Sequence, residues 1–179
     1  MSDGAHPDLP DELESTVARD RRPDAERVLD RLGRLGWSIA CAESLTGGLL
    51  CAELIALPGA SAVVRGGVVA YSTALKQSLL GVDAGLLAQH GAVHAEVARQ
   101  MARGVREAAA IAGCPAEVGV STTGVAGPDP ADGQPVGTVF IGVSTPVGTR
   151  ALPLLLEGDR IAIRRETVRR ALRAVFDAL

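Results

Sequence analysis

Aromatic side chains are almost missing from this chain: one tryptophan, one tyrosine and two phenylalanines in 179 residues, or 2%. A core without large rings must be filled by Ala, Val, Leu and Ile, which the 47% apolar content supplies. Lysine is scarcer still. Of 18 basic residues only Lys76 is a lysine, and the other 17 are arginines. The three cysteines, Cys41, Cys51 and Cys114, form no C-x-x-C pair, which argues for reduced thiols and a cytoplasmic setting rather than a disulfide framework. No apolar run of membrane-spanning length and no signal peptide is found, so no membrane partner is expected. Clustered positive charge is confined to the C-terminal end and the net charge is −3, which disfavours nucleic acid as the main partner. His6, His90 and His94 offer no spaced ligand cluster, and Gly91 interrupts the only close pair, so no metal is expected.

What is present is a strand-turn-helix unit around which the rest is arranged. Cys41-Ala42-Glu43-Ser44-Leu45-Thr46-Gly47-Gly48 follows a β-type run from Trp37 and opens into an apolar helix, Leu49–Leu57. Such a turn leaves the first helical N–H groups unpaired, and the helix dipole favours an anion or a developing oxyanion there. The glycines allow close approach of a ligand to the backbone. Ser44 and Thr46 flank the turn, either as reactive hydroxyls or simply as helix caps. Cys41, just before it, fits a small packing residue at a strand end better than a nucleophile.

Residues 1–22 are polar, acidic and proline-bearing and read as a flexible tail, leaving 23–179 as a single domain. Pro23 suits the first turn of a helix to Leu35, ended by Gly36. Strands are expected at Trp37–Ala42, Gly66–Tyr71, Val118–Thr122, Thr138–Ser144 and Thr149–Leu156, the last two as an antiparallel hairpin. Helices fill the gaps: Thr73–Leu80 after Ser72, a turn from Asp83 to Leu87, a long amphipathic helix Ala95–Ala112, and a terminal helix capped by Asp159. A second loop rich in glycine and proline follows the third strand, from Thr123-Gly124 to Gln134-Pro135.

This order predicts a three-layer α/β/α sandwich around a mixed, mostly parallel sheet of about five strands. Ligands in such sheets sit beyond the carboxyl ends of the strands. If the first three strands are parallel neighbours, Ser44, the Tyr71–Lys76 segment and Thr123-Gly124 converge. Lys76 then acquires a meaning. Arginine stays protonated in proteins, whereas a desolvated lysine can present a neutral amine. A neutral Lys76 would take the proton of Ser44 and make it a nucleophile. The alternative is a stray lysine in an arginine-biased chain. Tyr71 would relay or orient that proton, or be a core aromatic with a wet tip. Arg160 and Arg164, four residues apart at the start of the last helix, are candidates for a substrate phosphate, or else belong to a solvated arginine face.

Five ordered motifs, Ala42-Glu43-Ser44-Leu45-Thr46-Gly47-Gly48, Tyr71-Ser72 with Lys76, Gln89-His90-Gly91-Ala92-Val93, Thr123-Gly124-Val125-Ala126-Gly127-Pro128-Asp129 and Pro135-Val136-Gly137-Thr138, resemble the CinA C-terminal domain family. The resemblance runs from about Val28 to the C-terminus. Stand-alone members of that family are nicotinamide-nucleotide amidohydrolases. The resemblance implies hydrolysis of nicotinamide mononucleotide to nicotinic acid mononucleotide and ammonia, without metal or cofactor. It implies Ser44 as nucleophile, Lys76 as base and Tyr71 beside them. Thr46, Gly47, Gly48, Thr123 and Gly124 would line the substrate site. Two departures stand out: His94 replaces a serine cap, and Pro130-Ala131-Asp132-Gly133 replaces a glycine pair. A non-catalytic nucleotide-binding or regulatory module is the competing expectation. A homodimer or higher homo-oligomer is compatible with the flat, low-aromatic helix faces.

Overall fold

The sheet is built outward from strand β1, Ile39–Glu43, whose five residues are all buried. In the computed structural model, which describes residues 23–179, β1 pairs in parallel with β2, Val64–Val69, on one side and with β3, Val118–Gly124, on the other. Strands β4, Thr138–Thr145, and β5, Gly148–Leu155, extend the sheet antiparallel, giving the order β2-β1-β3-β4-β5. The sheet is thus mixed, with two parallel and two antiparallel pairings. The flexible tail expected over 1–22 lies outside the described residues.

Among the described residues, six α-helices flank the sheet: α1 (Asp24–Leu35), α2 (Leu49–Ile55), α3 (Thr73–Leu80), α4 (Ala84–His90), α5 (Ala95–Ala108) and α6 (Arg160–Phe176). β1 shows how the strands feed both faces, since successive side chains point oppositely. Ile39 and Cys41 pack with Val28 and Leu32 of α1, Leu50 and Leu54 of α2 and Ile163 of α6. Ala40 and Ala42 face the other layer, among Leu80 of α3 and Val97, Met101 and Val105 of α5. The result is the expected α/β/α sandwich.

The shortage of large side chains has its counterpart in that second layer. A Cβ on Gly119 of β3 would lie 1.9 Å from the Ala102 carbonyl oxygen, and one on Gly142 of β4 2.2 Å from that of Ala98. Helix α5 therefore rests almost on the strand backbones, a distance that no larger side chain permits. Ser121 fixes it there, donating to the Ala98 carbonyl at 2.6 Å in the buried interior.

Most expected elements are present with shifted ends. α5 stops four residues short, at Ala108, because Ala112 and Gly113 adopt positive φ and the chain turns through a bridge between Ile111 and Cys114. β2 begins at Val64 and ends at Val69, so Tyr71 lies in the connection to α3 and not within the strand. His94, where a serine cap was expected, acts as a cap as well. Its Nδ1 accepts from the Glu96 N–H at 3.2 Å and starts α5. Among the described residues, no helix is long and apolar enough to cross a membrane.

Candidate active site

Register brings the ends of β1 and β2 level, with β3 running two residues further to Gly124. Glu43, the last residue of β1, sits opposite Val69 of β2 and Thr122 of β3. The ladder continues one step into the turns, where the Ser44 N–H donates to the Thr122 carbonyl at 3.0 Å and the Ala70 N–H to the Glu43 carbonyl at 2.8 Å. Ser44 is therefore held by the sheet itself.

Lys76 meets it from α3. Its Nζ lies 3.0 Å from Ser44 Oγ, 2.8 Å from the Ala70 carbonyl oxygen and 3.4 Å from that of Tyr71. The side chain is 1% exposed. Burial lowers its pKa from the usual 10.5 to about 8, against an upward pull from the Asp132 carboxylate. The three contacts matter chemically. As an ammonium, Nζ donates to all three oxygens; as an amine it keeps two N–H groups for the two carbonyls and turns its lone pair to Ser44 Oγ. That is the geometry of a base on a hydroxyl.

Ser44, Lys76, Tyr71, Thr123, Gly124 and Arg160 all border one cleft of about 180 Å³, with Asp132 on its rim. Tyr71 is 61% exposed and is not a core aromatic. Its hydroxyl accepts from Arg160 Nη2 at 3.1 Å, so in this structure it is bonded to the guanidinium, while its carbonyl faces Lys76. Arg160 Nη1 also donates to the Gly127 carbonyl at 2.7 Å, which fixes the guanidinium at the mouth. Thr123 turns its hydroxyl to the Ala92 carbonyl at 2.7 Å. A larger groove of about 590 Å³ between α1, α2 and α6 is lined by no hydroxyl, thiol or amine side chain.

Thr46, Gly47 and Gly48 are placed otherwise than the sequence suggested: none of them borders the cleft. Thr46 is buried with its Oγ1 2.7 Å from Thr122 Oγ1. The start of α2 is already occupied by an anion, the Glu43 carboxylate. Its oxygens accept from the N–H groups of Gly48 at 2.9 Å, Leu50 at 3.1 Å and Cys51 at 2.8 Å, and the residue is 1% exposed. The positive helix end is thus spent within the protein. Arg164 does not reach the cleft either. Its guanidinium clamps the same turn from outside, Nε to the Leu45 carbonyl and Nη2 to the Thr46 carbonyl, each at 2.9 Å. Leu45, one residue beyond Ser44, borders the cleft, and its N–H has no partner among the described residues. Cys41 is buried on the opposite face of the sheet among the α1, α2 and α6 side chains, and its thiol pKa is raised by its hydrogen bond with Cys51 and by burial. It is a packing residue.

An α/β/α sandwich with a serine–lysine pair beyond its parallel strand ends defines the architecture and the site. The model of the CinA C-terminal domain matches residues 22–179, and the chain belongs to that family. A CinA-like protein of Frankia casuarinae is 49% identical over 145 residues, 81% of this chain and 32% of its own length. A competence-damage inducible protein of Geobacillus kaustophilus is 49% identical over 144 residues, 80% of this chain and 34% of its own. The chain thus spans about a third of the length of these curated relatives. A crystal structure of a CinA superfamily protein from Klebsiella pneumoniae superposes with a TM-score of 0.80 at 32% identity, covering 87% of this chain and 97% of that one. A competence/damage inducible protein from Agrobacterium tumefaciens gives 0.79 at 31% identity, covering 96% and 98%.

Proposed function

We propose that the protein is an amidohydrolase that converts nicotinamide mononucleotide and water to nicotinic acid mononucleotide and ammonia. The observation that carries this reading is the buried Lys76 amine, with two backbone carbonyls on its N–H groups and its third contact on Ser44 Oγ. A module that only holds a nucleotide needs the cleft and Arg160, but no desolvated amine against a hydroxyl.

In the proposed reaction neutral Lys76 accepts the Ser44 proton as Oγ attacks the carboxamide carbon. The carbonyl oxygen gains a negative charge, and the free Leu45 N–H is the donor on the nucleophile's own turn. Lys76 returns the proton to the departing nitrogen, which leaves as ammonia and gives an acyl ester on Ser44. A water then repeats the attack with Lys76 again as base, releasing the carboxylic acid and restoring Ser44. Arg160, tied to Gly127 and Tyr71 at the mouth, is the cation suited to the substrate phosphate. No step calls for a metal or an organic cofactor.

The test is release of ammonia from nicotinamide mononucleotide by the purified chain. Turnover by the wild type that disappears in Ser44→Ala supports the reading. A wild type that binds the nucleotide without releasing ammonia points to the binding module.

A further inference from the structure

The loop after β3 differs in this chain from the glycine pair its motif leads one to expect, and what stands there is a built feature. Ala131 and Gln134 close a two-residue hairpin, Ala131 N–H to Gln134 O at 3.2 Å and Gln134 N–H to Ala131 O at 2.9 Å. The central residues Asp132 and Gly133 have φ of 52° and 70°, the mirror-image turn that Asp-Gly favours. That turn carries the Asp132 side chain onto the segment after α4, where Oδ2 accepts from the Ala92 N–H at 2.6 Å and the Val93 N–H at 3.2 Å. Gly91 makes room for it. A Cβ there would lie 2.6 Å from Asp132 Cγ and 2.8 Å from Oδ2.

Both backbone donors fall on one oxygen. Oδ1 has no partner among the described residues, and the side chain borders the cleft that holds Ser44 and Lys76. The cleft is therefore bipolar, with the Arg160 guanidinium and, while it is protonated, Lys76 as its cationic groups and the Asp132 carboxylate as its anion. A hydrogen bond from an amide N–H to that carboxylate is open to a charged and a neutral ring alike, but a neutral ring gains no charge pairing from it. A substrate with a formal positive charge beside its amide gains a counter-ion, and without one it would meet only Arg160 and Lys76.

We propose that Asp132 is a specificity-determining residue that selects substrates whose amide is carried on a cationic ring, as in an N-alkylated pyridinium. The proposal rests on the amidohydrolase reading and narrows its substrate class. It separates two nucleotides of nearly the same shape: the oxidised nicotinamide nucleotide carries the ring charge, and its reduced dihydropyridine form does not. A partly screened charge pair at a few ångströms is worth about tenfold in affinity.

The test is equilibrium binding of oxidised and reduced nicotinamide mononucleotide to the chemically silent Ser44→Ala chain, with and without Asp132→Asn. Asparagine keeps an acceptor oxygen for Ala92 and Val93 and removes the charge. The expected result is an affinity for the oxidised form lowered about tenfold, with the reduced form changed less than about twofold. Gly91→Ala, which pushes the carboxylate from its seat and leaves its charge intact, should reproduce that selective loss. Equal weakening of both forms by Asp132→Asn, or no change in either, overturns the proposal alone. Failure of Ser44→Ala to bind either form, together with no ammonia release by the wild type, overturns the amidohydrolase reading and this proposal with it.

Discussion

Replacing Lys76 by arginine separates proton transfer from simple positive charge. Lys76 is buried at 1% exposure against three oxygen acceptors, and burial sets its pKa at about 8. At pH 7 about one-tenth of the molecules then hold the neutral amine, so kcat/KM should climb about tenfold per pH unit below 8 and level above it. Arginine preserves the charge but stays protonated across that range. Loss of a general base typically costs about 10²–10⁴ in rate, or about 3–5 kcal/mol of barrier. Lys76→Arg and Lys76→Ala should both fall by that amount and lose the acidic limb. The assay is kcat/KM for ammonia release between pH 6 and 10, with nucleotide affinity measured separately. A Lys76→Arg enzyme within a few-fold of wild type, or a wild-type limb near the ordinary lysine pKa, would refute the base assignment.

Three further outcomes follow from the same contacts. Ser44→Ala should abolish ammonia release while leaving the melting temperature within a few degrees, because one oxygen at a turn is lost and the Ser44 N–H bond to Thr122 remains; substantial residual turnover would leave Ser44 as a turn residue only. Glu43→Gln turns an amide NH₂ toward N–H groups that the carboxylate oxygens now accept, so it should cost about 2–4 kcal/mol in denaturant unfolding and lower kcat through the displaced Ser44 turn; wild-type stability would refute the capping role. Lys76 also links stability to pH: between about 8 and 10.5 the unfolded chain holds a proton that the folded chain lacks, so stability at this site should rise with pH, by about 3 kcal/mol over the window. Lys76→Met should remove that rise, read as the difference between the two unfolding free energies against pH, and parallel curves would show that the buried amine keeps its ordinary pKa.

The sandwich was legible because its signals are periodic and local. Apolar spacing marked α1 and α5, glycine and proline marked the breaks, and strand order placed Ser44, Lys76 and Thr123 at one edge, where β1, β2 and β3 do end within two residues of one another. Lys76 was conspicuous because arginine fills every other basic position. What escaped the sequence are residues whose partners are backbone groups. Glu43 answers three N–H groups around the start of α2 and Asp132 two after α4, and an N–H carries no letter that a motif can display. Gly119 and Gly142 escaped for a related reason: in a strand they read as weak points, yet the carbonyls of α5 require them. The missed glutamate changes the chemistry assigned to the turn. Glycines before a helix suggest an anion site at its start, but a buried carboxylate already occupies the start of α2. A second negative charge there would be repelled, so under the amidohydrolase reading the donor for the developing oxyanion is the Leu45 N–H, one residue beyond Ser44 and without a partner among the described residues. Glu43, Arg164 and the Thr46–Thr122 pair then act together to hold that N–H and the Ser44 hydroxyl rigid relative to Lys76.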